Sequence, residues 1–142
     1  MASFDREIVV RMQHVDAAGI VFYPRYFEMV VQLIEDWFAD GLGVDFHALH
    51  AVRGVGVPTV HVDIAFRRPS RLGDRLRFSL ALLKLKRTSL MLAIGASCQG
   101  EERLRLRQVL TCTSLGDEIR AIDIPDDLRA AMARYLNKEA VS

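Results

Sequence analysis

Residues 13–27 read QHVDAAGIVFYPRYF, and the apolar residues that begin in this stretch repeat with the period of an α-helix. They occupy the i, i+3, i+4 and i+7 positions of three successive turns: Tyr26, Met29, Val30, Leu33, Ile34, Trp37 and Phe38. Pro24 suits the first helical turn, where a missing N–H has no cost, and Gly41 and Gly43 are expected to end the helix. An apolar stripe of this length needs a broad surface to pack against, which a β-sheet supplies.

Most of the remaining chain alternates apolar and polar residues with the period of a β-strand. Strands are predicted at residues 7–12 before the helix and at 60–67, 76–82, 90–98 and 104–115 after it. Because no β-α-β alternation occurs, we expect an antiparallel sheet. Pro125 opens a last amphipathic helix, which carries Leu128, Met132, Tyr135 and Leu136. These patterns predict one α+β domain over residues 1–142, with a curved antiparallel sheet wrapped around one long central helix and a short C-terminal helix.

Length, composition and charge exclude several classes of protein. The 142 residues suffice for one domain with a core, and the 51% of hydrophobic residues argues against disorder. The net charge of +1 gives no basic field for nucleic acid, and Arg103, Arg105 and Arg107 have no aromatic residues interleaved among them. No apolar run is long enough to span a membrane, and the N-terminus has no apolar signal core. Cys98 and Cys112 lie in apolar runs, so we expect reduced core thiols in a cytoplasmic protein.

A candidate for chemistry, Asp16, stands directly before the long helix, in a loop of small residues. The first N–H groups of a helix have no intrahelical acceptor, so they attract an anion or a polarised carbonyl. A carboxylate and N–H donors a few residues apart are what acyl transfer needs: a base or nucleophile, and donors for the developing oxyanion. From the residues alone, the alternative is that Asp16 only caps a turn.

Residues 16–27, DAAGIVFYPRYF, resemble the signature of the 4-hydroxybenzoyl-CoA thioesterase family of hotdog-fold proteins. In that signature an Asp is followed by small residues with Gly, by Ile or Val and Val, by an aromatic pair and by a Tyr on the helix. A weaker resemblance runs through nearly the whole chain. It implies the hotdog fold and an acyl-CoA thioesterase, which hydrolyses an aromatic or aliphatic acyl-CoA to the free acid and CoA. No cofactor is implied, because CoA is part of the substrate, and the spacing of His47 and His50 predicts no metal site.

The resemblance also implies roles for individual residues. Asp16 either attacks the thioester carbonyl or activates water, and the backbone amide of Tyr23 polarises the thioester oxygen. A second N–H donor comes from the partner subunit, for which Gly54 and Gly56 are both candidates. The phosphates of CoA are held by Lys86, Arg87, Ser89 and Arg120. The alternative for these charged residues is a solvated surface turn.

The acyl group is predicted from a departure from the family pattern. In the hydroxybenzoyl-specific enzymes an Asp on the long helix receives the phenolic hydroxyl, whereas Val31 stands at the matching position here. Residues 57–60, which include Thr59, are mostly apolar. Since burying an unpaired hydroxyl costs roughly 1–3 kcal/mol, we expect a less polar acyl group, either an unsubstituted aromatic or an aliphatic chain.

The same resemblance implies how the subunits assemble. Hotdog sheets pair edge to edge and one subunit closes the pocket of the other, which implies a homodimer at minimum and suggests a homotetramer built as a dimer of dimers.

Hotdog hydratases and dehydratases use a His on or near the long helix, but no His lies between Tyr23 and Asp40. A non-catalytic protein that binds acyl thioesters is the other alternative.

Overall fold

One antiparallel sheet and one long helix form the frame of the protein. In the computed structural model, which describes residues 2–137, the strands are β1 (Phe4–Val9), β2 (Val55–Gly56), β3 (Thr59–Phe66), β4 (Arg75–Leu85), β5 (Ser89–Cys98), β6 (Glu101–Thr111) and β7 (Thr113–Ser114). The helices are α1 (Pro24–Asp36) and α2 (Asp126–Ala133), with a 3-10 turn at Met12–His14 and π-helical turns at Trp37–Leu42 and His47–Val52. Five strands pair in the order β1-β4-β5-β6-β3, and β2 pairs with β7 separately. The predicted long helix, antiparallel sheet and short C-terminal helix are confirmed, although α2 ends at Ala133, before the predicted helical residues Tyr135 and Leu136.

The long helix buries the apolar stripe that the sequence predicts. Its buried residues in α1 are Tyr26, Met29, Val30, Leu33 and Ile34. The stripe continues through Trp37 and Phe38, which are fully buried in the π-helical turn that follows. Gly43 ends that turn in the left-handed region, with φ of +81°. Gly41 does not end the helix as predicted; it lies inside the turn, where an added Cβ would come within 2.7 Å of Trp37 Cδ1.

The register of the strands defines two ends of the sheet. At one end, four residues stand side by side across four strands: Thr59, Leu110, Leu90 and Leu85. At the other end the corresponding row is Phe66, Leu104, Ala96 and Phe78. We refer to these as the Thr59 end and the Phe66 end. Strand β3 forms one edge of the sheet, because its only partner is β6 among residues 2–137.

Two strand boundaries differ from the prediction. The first strand lies at 4–9 rather than 7–12, because Phe4 through Val9 pair with β4 and the chain then enters the 3-10 turn. The last long strand stops at Thr111 because the amide of Cys112 donates to Thr88 O at 2.8 Å, outside the ladder. Cys98 and Cys112 are both buried free thiols, as expected.

The extent of the domain stays a prediction. Residues 1 and 138–142 of the proposed single domain lie outside the part of the chain that the structure describes.

Candidate active site

The Asp16 loop is a tight turn closed by its own backbone. The amide of Asp16 donates to Ile20 O at 3.0 Å, and Gly19, with φ of +79°, donates to Asp16 O at 2.9 Å. The Asp16 side chain is exposed, and its Oδ1 accepts the amide of Ala18 at 2.9 Å. The carboxylate therefore does cap a turn, but only with one oxygen. Within residues 2–137, Oδ2 has no hydrogen-bond partner and is open to a substrate or a water molecule.

The loop is attached to the Phe66 end of the sheet. Val21 donates its amide to Ser70 O at 2.9 Å, and Ile20 forms an isolated bridge with Arg71. On its other side, Phe22 donates its amide to His14 O at 2.9 Å. The position of Asp16 is therefore set by the turn that connects β3 to β4.

A buried arginine supports that turn. Nη1 of Arg103 donates to Asp74 Oδ2 at 2.7 Å and to Ser70 Oγ at 3.2 Å, and only 11% of its side chain is exposed. Asp74 Oδ2 also accepts the amide of Arg71 at 2.9 Å. This amide and, after it, the Arg103 guanidinium lower the pKa of Asp74, against the opposing effect of burial. Arg103 thus differs from Arg105, beside which the sequence groups it, because Arg103 is largely buried against its carboxylate, whereas Arg105 is exposed and its contact with Glu102 is longer, at 3.5 Å.

The start of α1 leaves one amide free. Arg25 donates to Phe22 O at 2.8 Å and Tyr26 donates to Tyr23 O at 3.1 Å, while Pro24 has no N–H. Of the donors expected at the helix start, the Tyr23 amide is the one without an acceptor in the described residues. The Tyr23 ring is largely exposed and meets the Phe66 ring edge-on, with centroids 6.2 Å apart. The Tyr23 amide is therefore available to a ligand, while the Tyr23 ring packs against Phe66.

A cavity at the Thr59 end of the sheet brings together three predicted substrate-binding residues, and we call it the acyl cavity after the group that these residues are predicted to bind. Its volume is about 280 Å³, and Val31, Gly56 and Thr59 line it. Val31 is 53% exposed, which is unusual for valine in a helix that packs on a sheet. The rest of the lining is mostly apolar: Ile34, Phe46, Val57, Pro58, Leu110, Leu115 and Ile119. This composition suits an acyl group.

Gly54 and Gly56 have different environments. Gly56 lines the cavity and has no room for a side chain, since a Cβ would lie 2.8 Å from Leu115 Cδ2. Gly54 adopts φ of +67° and accepts the amide of Leu115 at 2.9 Å, but it does not line the cavity. Of the two candidates for the second donor, only Gly56 is among the residues that line this cavity.

The sequence analysis did not identify Gln108, which also lines this cavity. Gln108 lies on the inner face of β6, in the alternating row that contains Leu104, Leu106 and Leu110. Its Nε2 donates to Thr59 Oγ1 at 2.7 Å. The sequence signal that could have identified Gln108 is a polar residue in an alternating row of leucines.

The predicted CoA-binding residues gather at the β4–β5 turn, with one exception. Lys86 donates its amide to Ser89 O at 2.8 Å, and Lys86 and Arg87 line a polar cavity of about 360 Å³. Arg87 forms an ion pair with Asp123 across this cavity. Arg120 does not line it; it is exposed and paired with Glu118 at 2.7 Å.

A further arginine holds this turn and was not predicted. Nη2 of Arg129, on α2, donates to Lys86 O and to Arg87 O. Arg129 also lines the polar cavity. The C-terminal helix therefore fixes the backbone from which the two predicted phosphate-binding side chains project.

The Asp16 loop and the Lys86 turn lie at opposite ends of one strand. The loop is joined to residues 70 and 71, just before β4, and Lys86 directly follows β4. The eleven residues of β4 span roughly 35 Å at about 3.3 Å per residue. The acyl cavity and the Lys86 turn share the Thr59 end, whereas Asp16 and Tyr23 lie at the Phe66 end.

Among residues 2–137, no three His, Cys, Asp or Glu side chains are grouped so that they could hold a metal ion. The same residues contain no helix with the length and apolar character needed to cross a bilayer.

Comparison with known proteins gives a consistent result. The profile of the thioesterase-like superfamily matches residues 10–132. The chain is 30% identical to the 1,4-dihydroxy-2-naphthoyl-CoA hydrolase of Thermosynechococcus vestitus, over 89% of this chain and 86% of that protein. Its structure is similar to that of a 1,4-dihydroxy-2-naphthoyl-CoA thioesterase from Synechocystis, with a TM-score of 0.83, 21% identity and coverage of 93% and 96% of the two chains. It is also similar to the 4-hydroxybenzoyl-CoA thioesterase of Pseudomonas sp. strain CBS-3, with a TM-score of 0.80, 21% identity and coverage of 91% and 98%. The predicted hotdog fold is confirmed.

Proposed function

This chain belongs to the thioesterase-like superfamily, and from that premise we propose that it hydrolyses the thioester of an aromatic or aliphatic acyl-CoA to the free acid and CoA. The observation that carries the proposal is the pairing of two open groups at the start of α1. Asp16 keeps one carboxylate oxygen free, and seven residues later the Tyr23 amide has no acceptor within residues 2–137. A carboxylate and an aimed N–H donor are the two elements that thioester hydrolysis requires.

In the proposed reaction, the thioester oxygen accepts a hydrogen bond from the Tyr23 amide. Negative charge builds up on that oxygen as the carbonyl is attacked, so the hydrogen bond strengthens in the transition state. In comparable sites one such donor contributes about 3 kcal/mol. Asp16 acts either as the nucleophile, which forms an acyl-enzyme anhydride that water then hydrolyses, or as the base that takes a proton from the attacking water. The thiolate of CoA leaves, and no cofactor takes part.

A homodimer is the smallest unit that we propose to be active. Strand β3 is an unpaired edge within residues 2–137, and Val60 and Phe66 are exposed along it. In a two-fold antiparallel pair of β3 strands, the Phe66 end of each chain lies beside the Thr59 end of the other. The Asp16 loop of one chain then faces the acyl cavity and Lys86 turn of its partner, and Gly54 or Gly56 of the partner subunit is the second oxyanion donor. A homotetramer formed from two such dimers rests on the family resemblance.

The proposed substrate contacts follow from this arrangement. The acyl group enters the cavity lined by Val31, Gly56 and Thr59, and the phosphates of CoA bind at Lys86, Arg87 and Ser89. Arg87 and Arg120 reach the phosphates only if their ion pairs with Asp123 and Glu118 open. We place the protein in the cytoplasm, where the free thiols of Cys98 and Cys112 are stable.

The experiment is thiol release from a panel of acyl-CoAs: benzoyl, 4-hydroxybenzoyl, phenylacetyl, and short and long aliphatic chains. We expect Asp16→Asn to reduce turnover by at least a hundredfold while acyl-CoA binding is retained. Asp45→Asn is the matched control, because Asp45 is also exposed and also caps an amide, that of Ala48 at 2.7 Å. Its turnover should stay near that of the wild type. Binding without turnover in the wild-type protein would instead identify a non-catalytic acyl-thioester binding protein.

A further inference from the structure

Gln108 is a buried amide that is only partly satisfied. It is 4% exposed and stands between Leu106 and Leu110 in the inner row of β6. Its Nε2 donates to Thr59 Oγ1, but within residues 2–137 its Oε1 has no hydrogen-bond partner. A buried polar atom without a partner destabilises the folded state, so leucine at this position would favour stability. The amide therefore suggests a partner that comes from outside the described chain.

Thr113 is a second buried polar residue of the same cavity whose side chain lacks a hydrogen-bond partner within residues 2–137. It is buried, it lines the acyl cavity with Gln108, and its Oγ1 also has no partner in the described residues. The absent side chain of Gly56 keeps the space beside this hydroxyl open, since a Cβ there would lie 3.0 Å from Thr113 Oγ1. Two polar groups without a partner in the described residues thus line one mostly apolar cavity.

A third polar group of the cavity is also able to accept a hydrogen bond. Nδ1 of His50 lies 2.8 Å from Phe46 O, and a carbonyl oxygen can only accept. Nδ1 therefore carries the proton, and Nε2 of the neutral ring is an acceptor. Since Gln108 Oε1 can likewise only accept, the cavity is matched to a ligand that donates.

We propose that Gln108 determines acyl specificity by accepting a hydrogen bond from a hydroxyl group on the acyl moiety, with Thr113 as a second partner. The inference rests on the proposed thioesterase function and names its substrate class as hydroxy-substituted acyl-CoAs. It revises the expectation drawn from Val31. The helix supplies only an apolar wall, and the sheet supplies the polar contact from the opposite side. The terminal torsion of a glutamine side chain is broad, so the amide can turn its oxygen toward the ligand.

The experiment compares pairs of substrates that differ in one hydrogen-bond donor. The 2-, 3- and 4-hydroxybenzoyl-CoAs are each measured against the fluorobenzoyl-CoA with the same ring position, which is similar in size but has no O–H. For at least one ring position, we expect the wild-type kcat/KM to favour the hydroxyl by about ten- to a hundredfold. In Gln108→Leu this ratio should fall to about one, and thermal stability should be equal or higher, since the variant removes an unpartnered polar group. Thr113→Val should reduce the ratio to a smaller extent.

Leu110→Met is the matched control. Leu110 is the next inner residue along β6 and lines the same cavity, so its replacement should change both rates together and preserve the ratio. A wild-type preference for the fluoro compounds at every position, or a ratio unchanged in Gln108→Leu, would overturn the inference. So would a change of oligomeric state in Gln108→Leu measured by sedimentation, because the amide would then belong to a subunit contact.

The absence of thioesterase activity can be distinguished from the absence of a role for Gln108 in acyl recognition. If no acyl-CoA is hydrolysed, the same pairs are compared by calorimetric binding to the wild type and to Gln108→Leu. Tighter binding of the hydroxy compounds that Gln108→Leu abolishes supports the role of Gln108 without catalysis. Equal binding of both members of each pair rejects it.

Discussion

Arg103 Nη1 donates to Asp74 Oδ2 at 2.7 Å, and the turn fixed by this ion pair carries the loop of the candidate catalytic carboxylate. The connection runs through Ser70, whose hydroxyl contacts the same guanidinium and whose carbonyl accepts the amide of Val21. A largely buried ion pair at one end of the sheet therefore determines where Asp16 stands.

Replacing Arg103 with Met should destabilise the protein by about 2 kcal/mol, somewhat below the 3–5 kcal/mol typical of a fully buried pair, because Asp74 keeps partial contact with water. Urea unfolding measures this effect. Arg105→Met is the control: Arg105 is exposed and its ion pair with Glu102 is long, at 3.5 Å, so the cost should stay below about 0.5 kcal/mol. Equal losses of unfolding free energy in the two variants would mean that the Arg103–Asp74 ion pair stabilises the protein no more than an exposed pair does.

His14 should make the stability of the protein depend on pH below neutrality. Its Nδ1 accepts the amide of Arg11 at 2.8 Å, which requires the neutral ring. Burial lowers the pKa of His14, Arg25 and Arg11 lower it further, and Glu28 opposes them. The folded pKa thus lies below the unfolded value of about 6.5, so the unfolded chain takes up the proton first as the pH falls. The stabilisation is complete above about pH 6.5 and is lost as the pH falls through the folded pKa.

The measurement is the free energy of unfolding in urea between pH 5 and pH 7.5. His14→Asn keeps an acceptor for the Arg11 amide but cannot titrate, so its unfolding free energy should vary less with pH than that of the wild type. His47→Asn, on an exposed turn, should keep the wild-type slope. A wild-type slope that persists in His14→Asn would assign the pH dependence to other groups.

Features of the site that depend on local sequence could be predicted, whereas those that depend on strand register could not. Asp16, its small neighbours and the apolar stripe of α1 are adjacent in sequence, so periodicity and capping rules located them. The alternation along β6 places Gln108 in the row of leucines, but only the folded structure brings Val31 and Thr59 to the same cavity. Arg103 could not be separated from Arg105 in the sequence, because its partner Asp74 lies 29 residues earlier. Arg129 escaped prediction because its partners are the carbonyls of residues 86 and 87, about forty residues earlier.

Tyr23 should act through its backbone rather than its hydroxyl. The Tyr23 amide is the free donor at the helix start, and the ring is directed toward Phe66 and Phe22. Tyr23→Phe keeps both the amide and the ring contacts, so kcat/KM for the best acyl-CoA should stay within about threefold of the wild type. If kcat/KM of Tyr23→Phe instead fell a hundredfold or more, the loss would match the removal of an oxyanion donor. The phenolic hydroxyl would then be the group that binds the oxyanion.

Two inactive variants should restore activity when they share a dimer. Asp16 and the Lys86 turn lie at opposite ends of β4 in one chain, so the proposed site takes Asp16 from one subunit and Lys86 with Arg87 from the other. One chain carries Asp16→Asn and the other carries Lys86→Met with Arg87→Met, and the mixed dimer is purified through two different affinity tags. Of its two sites, one combines both defects and the other combines none.

The mixed dimer should therefore reach about half of the wild-type kcat per dimer, because a two-fold axis would make the two sites of the proposed homodimer equivalent. Its KM should equal the wild-type value, since the surviving site is intact. As a control, a chain with all three substitutions should give no recovery when it is paired with the Asp16→Asn chain, because neither site then has an intact Asp16. If the first mixed dimer were no more active than the sum of its parents, the carboxylate and the phosphate-binding side chains would have to act within one chain. Such a site would require the substrate to bridge the full length of β4.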